Sequence, residues 1–148
     1  MAHGLTAVLV GCGGISRQWL RTITQLADLR LVSLVDLDEA TARPRAEEFE
    51  LADAEISTDL AVAPARVRPD IVFDCTVPTA HHPVTLAALE HGCHVMGEKP
   101  LADSLDHARE MIAAAEAAGK LYAVMQNRRY DPNIRRLKAF LDSGCWAG

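Results

Sequence analysis

The sequence predicts an α/β fold: a doubly wound, mostly parallel sheet of about six strands in the order 3-2-1-4-5-6. Three observations predict it. Short apolar runs alternate with helical patterns along the whole chain. The runs lack polar alternation, which marks parallel strands covered on both faces. Glycines and polar residues collect just past the strand ends: Gly11 to Ser16, Asp36, Thr76 to His82, Glu98 to Pro100, Asn127 to Tyr130. Ligands of such sheets bind outside the carboxyl ends of the strands, where the strand order reverses. An inert scaffold has no reason to place such residues at five strand ends.

Composition narrows the class. At 148 residues the chain can build one real core. With 49% hydrophobic and 24% charged residues it is not a disordered chain. Its net charge of −5 leaves no overall basic footprint, so nucleic acid is not an expected partner. No apolar run approaches the roughly 20 residues of a membrane helix, so no membrane role is expected. Met1-Ala2-His3-Gly4 lacks the cationic and apolar regions of a signal peptide. Cys12, Cys75, Cys93 and Cys145 form no C-x-x-C pair. They read as reduced thiols of a cytoplasmic protein, with no disulfide or zinc site.

Leu5 to Val10 is the first strand: short, apolar and unbroken. Gly11-Cys12-Gly13-Gly14-Ile15-Ser16 follows at once and fits G-x-G-x-x-(G/A), with Gly11 and Gly13 in the first two places. Gly11 permits the sharp turn, and Gly13 lets backbone approach a pyrophosphate. The helix start beyond offers free N–H groups and a partial positive charge. Ser16 holds the third place, which sets helix and strand slightly further apart. That helix carries Ile15, Trp19, Leu20, Ile23 and Leu26 on one face, with Trp19 a core residue.

Arg30 to Val35 is the second strand, and Asp36 ends it, 25 residues beyond Gly11. A carboxylate there can accept hydrogen bonds from adenosine ribose hydroxyls and repels a 2′-phosphate, so NAD is favoured over NADP. The plainer reading of Asp36 is a strand-end or helix-capping carboxylate, with Asp38 beside it. Glu39 to Glu50 is helical, and Pro44 places its start near Thr41. Glu55 to Asp59 is a weak third strand, and 60–68 is a short helix or loop broken by Pro64.

Asp70 to Thr76 is the fourth strand, stopped by Pro78. A helix runs through Leu86 and Leu89, with Pro83 in its first turn and Gly92 just past its end. Cys93 to Gly97 is the fifth strand. Asp103 or Ser104 caps a long helix with Leu105, Ala108, Met111, Ile112 and Ala115 facing inward, ended by Gly119. Leu121 to Met125 is the sixth strand. Asp131 and Pro132 open a last helix with Ile134, Leu137 and Leu141 on one stripe, closed by Gly144. His81 and His82 read as a loop pair without metal, since no ligand set has the right spacing. His91 and His94 read as helix-end and strand-edge residues. Arg128, Arg129, Arg135, Arg136 and Lys138 read mostly as a solvated face.

Three motifs together carry a resemblance: Gly11-Cys12-Gly13-Gly14-Ile15-Ser16, Thr76-Val77-Pro78 with His81-His82, and Glu98-Lys99-Pro100. They resemble the N-terminal Rossmann domain of the Gfo/Idh/MocA oxidoreductases. The stretch from His94 to Leu101 is similar to that family's most recognisable segment, and Asn127 to Tyr130 resembles its entry into a second domain. The resemblance implies a Rossmann domain over 1–126, with 127–148 the first helix of a truncated substrate domain. It implies that Gly11, Gly13, Gly14, Ile15 and Ser16 cradle the pyrophosphate, with Ile15 near the nicotinamide. It implies that Asp36 holds the adenosine ribose and that Thr76, Pro78 and His81 line the cleft. It implies that Glu98 and Lys99 reach the nicotinamide ribose and a substrate hydroxyl, that Pro100 follows a cis bond, and that Arg128 faces the nicotinamide region.

The chemistry of Lys99 agrees with that role. A hydride leaving a secondary alcohol needs the hydroxyl proton to leave too, and a compact cation stabilises the alkoxide. Burial beside a positive nicotinamide is expected to bring a lysine pKa toward the working range. The resemblance thus implies the NAD-binding part of an oxidoreductase acting on a sugar, inositol or related polyol. A homo-oligomeric full-length parent is implied with it. A dinucleotide sensor without catalysis, or a fragment of an NAD-dependent glycoside-cleaving enzyme, are the alternatives. The chain ends where the substrate domain would begin, and the last helix and Trp146 are expected to be left uncovered.

Overall fold

A computed structural model describes residues 4–59, 66 and 68–145. The segment 60–65 with Pro64, the first three residues and Trp146 lie outside the described residues. Six strands form one sheet: β1 (Leu5–Val10), β2 (Leu29–Val35), β3 (Glu55–Ser57), β4 (Ile71–Asp74), β5 (His94–Gly97) and β6 (Tyr122–Val124). Their order is β3-β2-β1-β4-β5-β6, and every neighbouring pair is parallel. The expected order 3-2-1-4-5-6 is therefore the observed one. The reversal falls at β1, which pairs with β2 on one side and β4 on the other.

Why β1 sits at the centre follows from its residues. Ala7, Val8 and Leu9 are all 0% exposed, so both faces of the strand are covered. Leu9 joins Leu20, Leu34 and Phe73 in one core layer, whereas Val8 and Val10 join Val72, Val84 and Val95 in the other. Each such side chain contributes roughly 1.5–3 kcal/mol on burial. The first layer lies under α1 (Ser16–Ile23) and α2 (Glu39–Glu48), the second under α3 (Pro78–Glu90) and α4 (Leu105–Ala118).

Several helix details differ from expectation. Helix α1 ends at Ile23, so Leu26 lies beyond it and is half exposed, and Ile15 precedes it at the turn. Helix α2 starts at Glu39 rather than near Thr41, because the Asp38 carboxylate accepts from the Ala40 N–H at 2.9 Å and caps it there. Pro44 then sits inside the helix, where it has no N–H to donate to the carbonyl of the exposed Ala40. Likewise Pro78 takes the first turn of α3 and Pro83 lies inside, above the exposed Thr79. His81 and His82 are therefore helical, not loop residues.

Ser104 caps α4, accepting from the His107 N–H at 3.1 Å. Ala108, Met111 and Ala115 face the core, but Leu105 and Ile112 are exposed. Helix α5 (Pro132–Asp142) buries none of its residues, and its apolar stripe of Ile134, Leu137, Phe140 and Leu141 is open. Cys12, Cys75 and Cys93 are buried free thiols and Cys145 an exposed one. No described helix is long and apolar enough to cross a membrane.

Candidate functional site

The turn after β1 is shaped by three glycines with two different jobs. Gly11 has φ of +87°, and a Cβ on it would lie 2.8 Å from the Cys75 carbonyl and the Thr76 nitrogen. Only glycine fits where the ends of β1 and β4 meet so closely. At Gly13 and Gly14, by contrast, a Cβ would meet nothing within 4 Å. Both open onto a cleft of about 620 Å³ at the carboxyl ends of the strands. The N–H groups of Gly13, Gly14 and Ile15 make no hydrogen bond among the described residues. The start of α1 has no side-chain cap. Unpaired N–H groups at a helix start, opening on empty space, suit an anion.

The carbonyls of the same turn face the other way and are well served. Gly13 O accepts from Ser16 Oγ at 2.6 Å and from Arg45 Nη2 at 3.2 Å. Cys12 O accepts from Arg45 Nε at 3.2 Å. Ser16 is fully buried, so its contribution is to hold the turn from behind. Asp36, at the end of β2, accepts the Cys12 N–H at 2.7 Å with one oxygen and the Asp38 N–H at 3.0 Å with the other. It lines the cleft with Leu37, and Asp38, not Asp36, caps the next helix. Burial, aided by the Asp36 charge, pushes the Cys12 thiol up to about 12, so it stays protonated. Burial also raises Cys75, next to Asp74.

Across the cleft, Thr76, Val77, Ala80, Pro83 and Val84 form the opposite wall. Thr76 is fixed by Asp74, which is fully buried: Asp74 Oδ1 accepts from Thr76 Oγ1 at 2.6 Å and from Thr76 N at 2.9 Å. His81 lies behind this wall rather than on it. It is 2% exposed, with Nδ1 2.8 Å from Asp74 Oδ2 and 3.3 Å from Thr76 Oγ1. Pro78 opens α3 at the surface and is not part of the wall.

The third motif lies beside the cleft. Glu98 is 8% exposed and accepts from Trp19 Nε1 at 2.7 Å and from Lys99 N at 3.1 Å. Trp19 is a core residue as expected, and it also anchors this carboxylate. Glu98 borders a separate hollow of about 320 Å³ with Phe73, Met96 and Asn127, on the α1 side of the sheet. The Lys99–Pro100 peptide is cis, and the Lys99 side chain is exposed, not buried. Arg128 is exposed in the turn before α5. His82 pairs with Glu110 at 2.8 Å and stacks on His107. Among the described residues no three or more His, Cys, Asp or Glu are grouped to hold a metal.

Sequence reasoning thus identified Gly11, Gly13, Gly14, Ile15, Asp36 and Thr76, which the structure brings to one cleft. It missed Val77, Ala80 and Val84, although their spacing is that of one helix face. It missed Thr58, which follows β3 as Asp36 follows β2. Arg45 was also missed. The signal was an arginine beside Ala42 and Ala46 on the buried face of α2.

The residues present fit a dinucleotide: open N–H groups for a pyrophosphate, a carboxylate for a ribose and apolar walls for the bases. Comparison with known proteins agrees. A family model described as oxidoreductase family, NAD-binding Rossmann fold, of the Gfo/Idh/MocA group, matches residues 5–126. The chain is 38% identical over 140 residues to an inositol 2-dehydrogenase of Burkholderia vietnamiensis, covering 92% of this chain and 41% of that one. It is 35% identical over 117 residues to a D-glucoside 3-dehydrogenase of Escherichia coli, covering 79% and 33%. Among solved structures it resembles the WlbA dehydrogenase of Chromobacterium violaceum in complex with NADH and UDP-GlcNAcA. There the TM-score is 0.88 at 28% identity, covering 97% of this chain and 41% of that one. The chain spans well under half the length of these relatives.

Proposed function

The chain belongs to the Gfo/Idh/MocA oxidoreductase family, and on that premise we propose that it is the NAD-binding portion of an enzyme that moves a hydride between a nicotinamide cofactor and a sugar, inositol or related polyol. The observation that carries the reading is the cleft itself. Open backbone at Gly13 and Gly14 stands on one side and the Asp36 carboxylate at one end. Relatives that act on inositol and on a glucoside support the substrate class.

In this reading Gly11 sets the turn, and the N–H groups of Gly13, Gly14 and Ile15 bind the pyrophosphate. Ser16 braces the turn from behind, and Asp36 receives the adenosine ribose. Thr76 lines the opposite wall, with Asp74, His81 and the start of α3 at Pro78 fixing its place. Hydride acceptance and return are the chemistry that a bound NAD would supply. Lys99 would supply the cation that stabilises the substrate oxygen, and the hydroxyl proton would pass to solvent water, to which Lys99 is exposed. Glu98, anchored by Trp19, holds the backbone of Lys99 through the 3.1 Å hydrogen bond. Arg128 stands toward the nicotinamide and substrate. Residues 1–126 form the cofactor domain and 127–148 open the substrate domain. The full-length protein works in the cytoplasm as a homo-oligomer, and the open apolar stripe of α5 supports a covering surface there.

A second reading, a dinucleotide sensor without turnover, draws on the exposure of Lys99. Absorbance at 340 nm separates the two, with NAD and either myo-inositol or a methyl glucoside as substrate. Catalysis predicts NADH formation that Lys99→Met lowers about a hundredfold or more, with NADH affinity kept within about twofold. Tight NADH binding with no turnover by the full-length protein favours the sensor.

A further inference from the structure

We propose that Arg45 is a positioning residue of the cofactor site: its guanidinium pins two successive carbonyls of the glycine turn and thereby aims the next N–H groups at the pyrophosphate. The inference rests on the dinucleotide reading of the cleft. Arg45 reaches the turn from α2 and is 8% exposed. Its Nε donates to Cys12 O and its Nη2 to Gly13 O, both at 3.2 Å. In a trans, planar peptide the carbonyl and the following N–H point in opposite directions. Carbonyls of Cys12 and Gly13 held toward Arg45 therefore turn the N–H groups of Gly13 and Gly14 away from it. That is the open side, where a Cβ on either glycine meets nothing within 4 Å.

The third arm of the guanidinium, Nη1, goes to Glu48 Oε2. Glu48 also takes Arg17 Nε with both oxygens at 3.0 Å. Arg17 lies in the first turn of α1. One chain of charges thus ties α2, the glycine turn and the start of α1 together. Only one of the three nitrogens is used on a carboxylate, and the other two serve the turn. A planar fork matches two neighbouring carbonyls, which the single ammonium of a lysine cannot do. The buried positive charge also lies directly behind the backbone that would meet an anion.

The test is titration of the full chain with NADH, with adenosine as a competitor that carries no phosphate. Arg45→Gln should weaken NADH about tenfold while leaving adenosine unchanged, and Arg45→Lys should recover part of the NADH loss. If Arg45→Gln does not fold, Glu48→Gln takes its place. Its site is partly exposed, and the same selective weakening of NADH, at smaller amplitude, is expected. A general structural role would weaken NADH and adenosine together, and that result overturns the proposal. So does NADH affinity equal to that of the parent. A parent chain that binds no NADH at all would instead overturn the cofactor reading on which the clamp depends.

Discussion

Asp36 Oδ2 accepts the backbone N–H of Cys12 at 2.7 Å, which joins the end of the second strand to the turn that follows the first. The carboxylate is thus part of the turn's own structure before any ligand arrives. Asp36→Ala leaves the Cys12 N–H, within a partly buried turn, without its acceptor. A stability loss of about 1–3 kcal/mol is expected from urea unfolding without cofactor.

The two glycines of the fingerprint should separate stability from binding. Gly11→Ala forces a Cβ to within 2.8 Å of Cys75 and Thr76 backbone at a positive φ. A loss of about 2–5 kcal/mol is expected, seen as a lower Tm. A Cβ at Gly13 meets nothing within 4 Å, so the Tm of Gly13→Val should stay near that of the parent. Its branched side chain fills cleft space, and NADH affinity should fall tenfold or more, about 1.4 kcal/mol at least.

The fold's acid sensitivity should rest in part on Asp70. Thr6 donates to its Oδ2 from N at 2.7 Å and from Oγ1 at 2.9 Å. These bonds hold the Asp70 carboxyl below the usual carboxylate range. A lowered folded pKa gives stability that is full above the ordinary value and is lost as pH falls through the lower one. The Tm gap between parent and Asp70→Asn should therefore be widest at pH 7 and close progressively below about pH 4.

Helix α2 ends with a residue unsuited to its backbone. Leu51 N donates to Ala46 O and Glu50 N to Glu47 O, the paired bonds of a helix end that turns left-handed. Glu50 has φ of +55°, whereas Gly92 and Gly119 fill the same place after α3 and α4. Glu50→Gly should raise stability by about 1 kcal/mol, read as a higher urea midpoint with an unchanged slope.

These sites show what a sequence can and cannot display. Strand β1 was legible because Ala7, Val8 and Leu9 are apolar without alternation, which only a doubly covered strand tolerates. Gly11, Gly13 and Asp36 were legible because a turn and a carboxylate at fixed spacing have few other uses. Leu105 and Ile112 were misjudged as inward-facing, since periodicity marks a face but not what covers it. Pro44 and Pro83 misled for a related reason: a missing N–H costs little where the unserved carbonyl belongs to an exposed residue. Arg45 was hidden because a charged residue on a buried helix face gains meaning only when a distant turn supplies its acceptors. His81 was assigned to the cleft wall by its motif, yet it is 2% exposed and its Nδ1 faces Asp74 behind that wall.

Calorimetric titration of the chain with NADH and NADPH, before and after Asp36→Ala, tests the central claim most directly. NADH should bind tighter than NADPH, because the Asp36 carboxylate at the cleft end accepts ribose hydroxyls and repels a 2′-phosphate, and Asp36→Ala should erase the difference. Equal affinity for the two in the unaltered chain, or no binding of either, would contradict it.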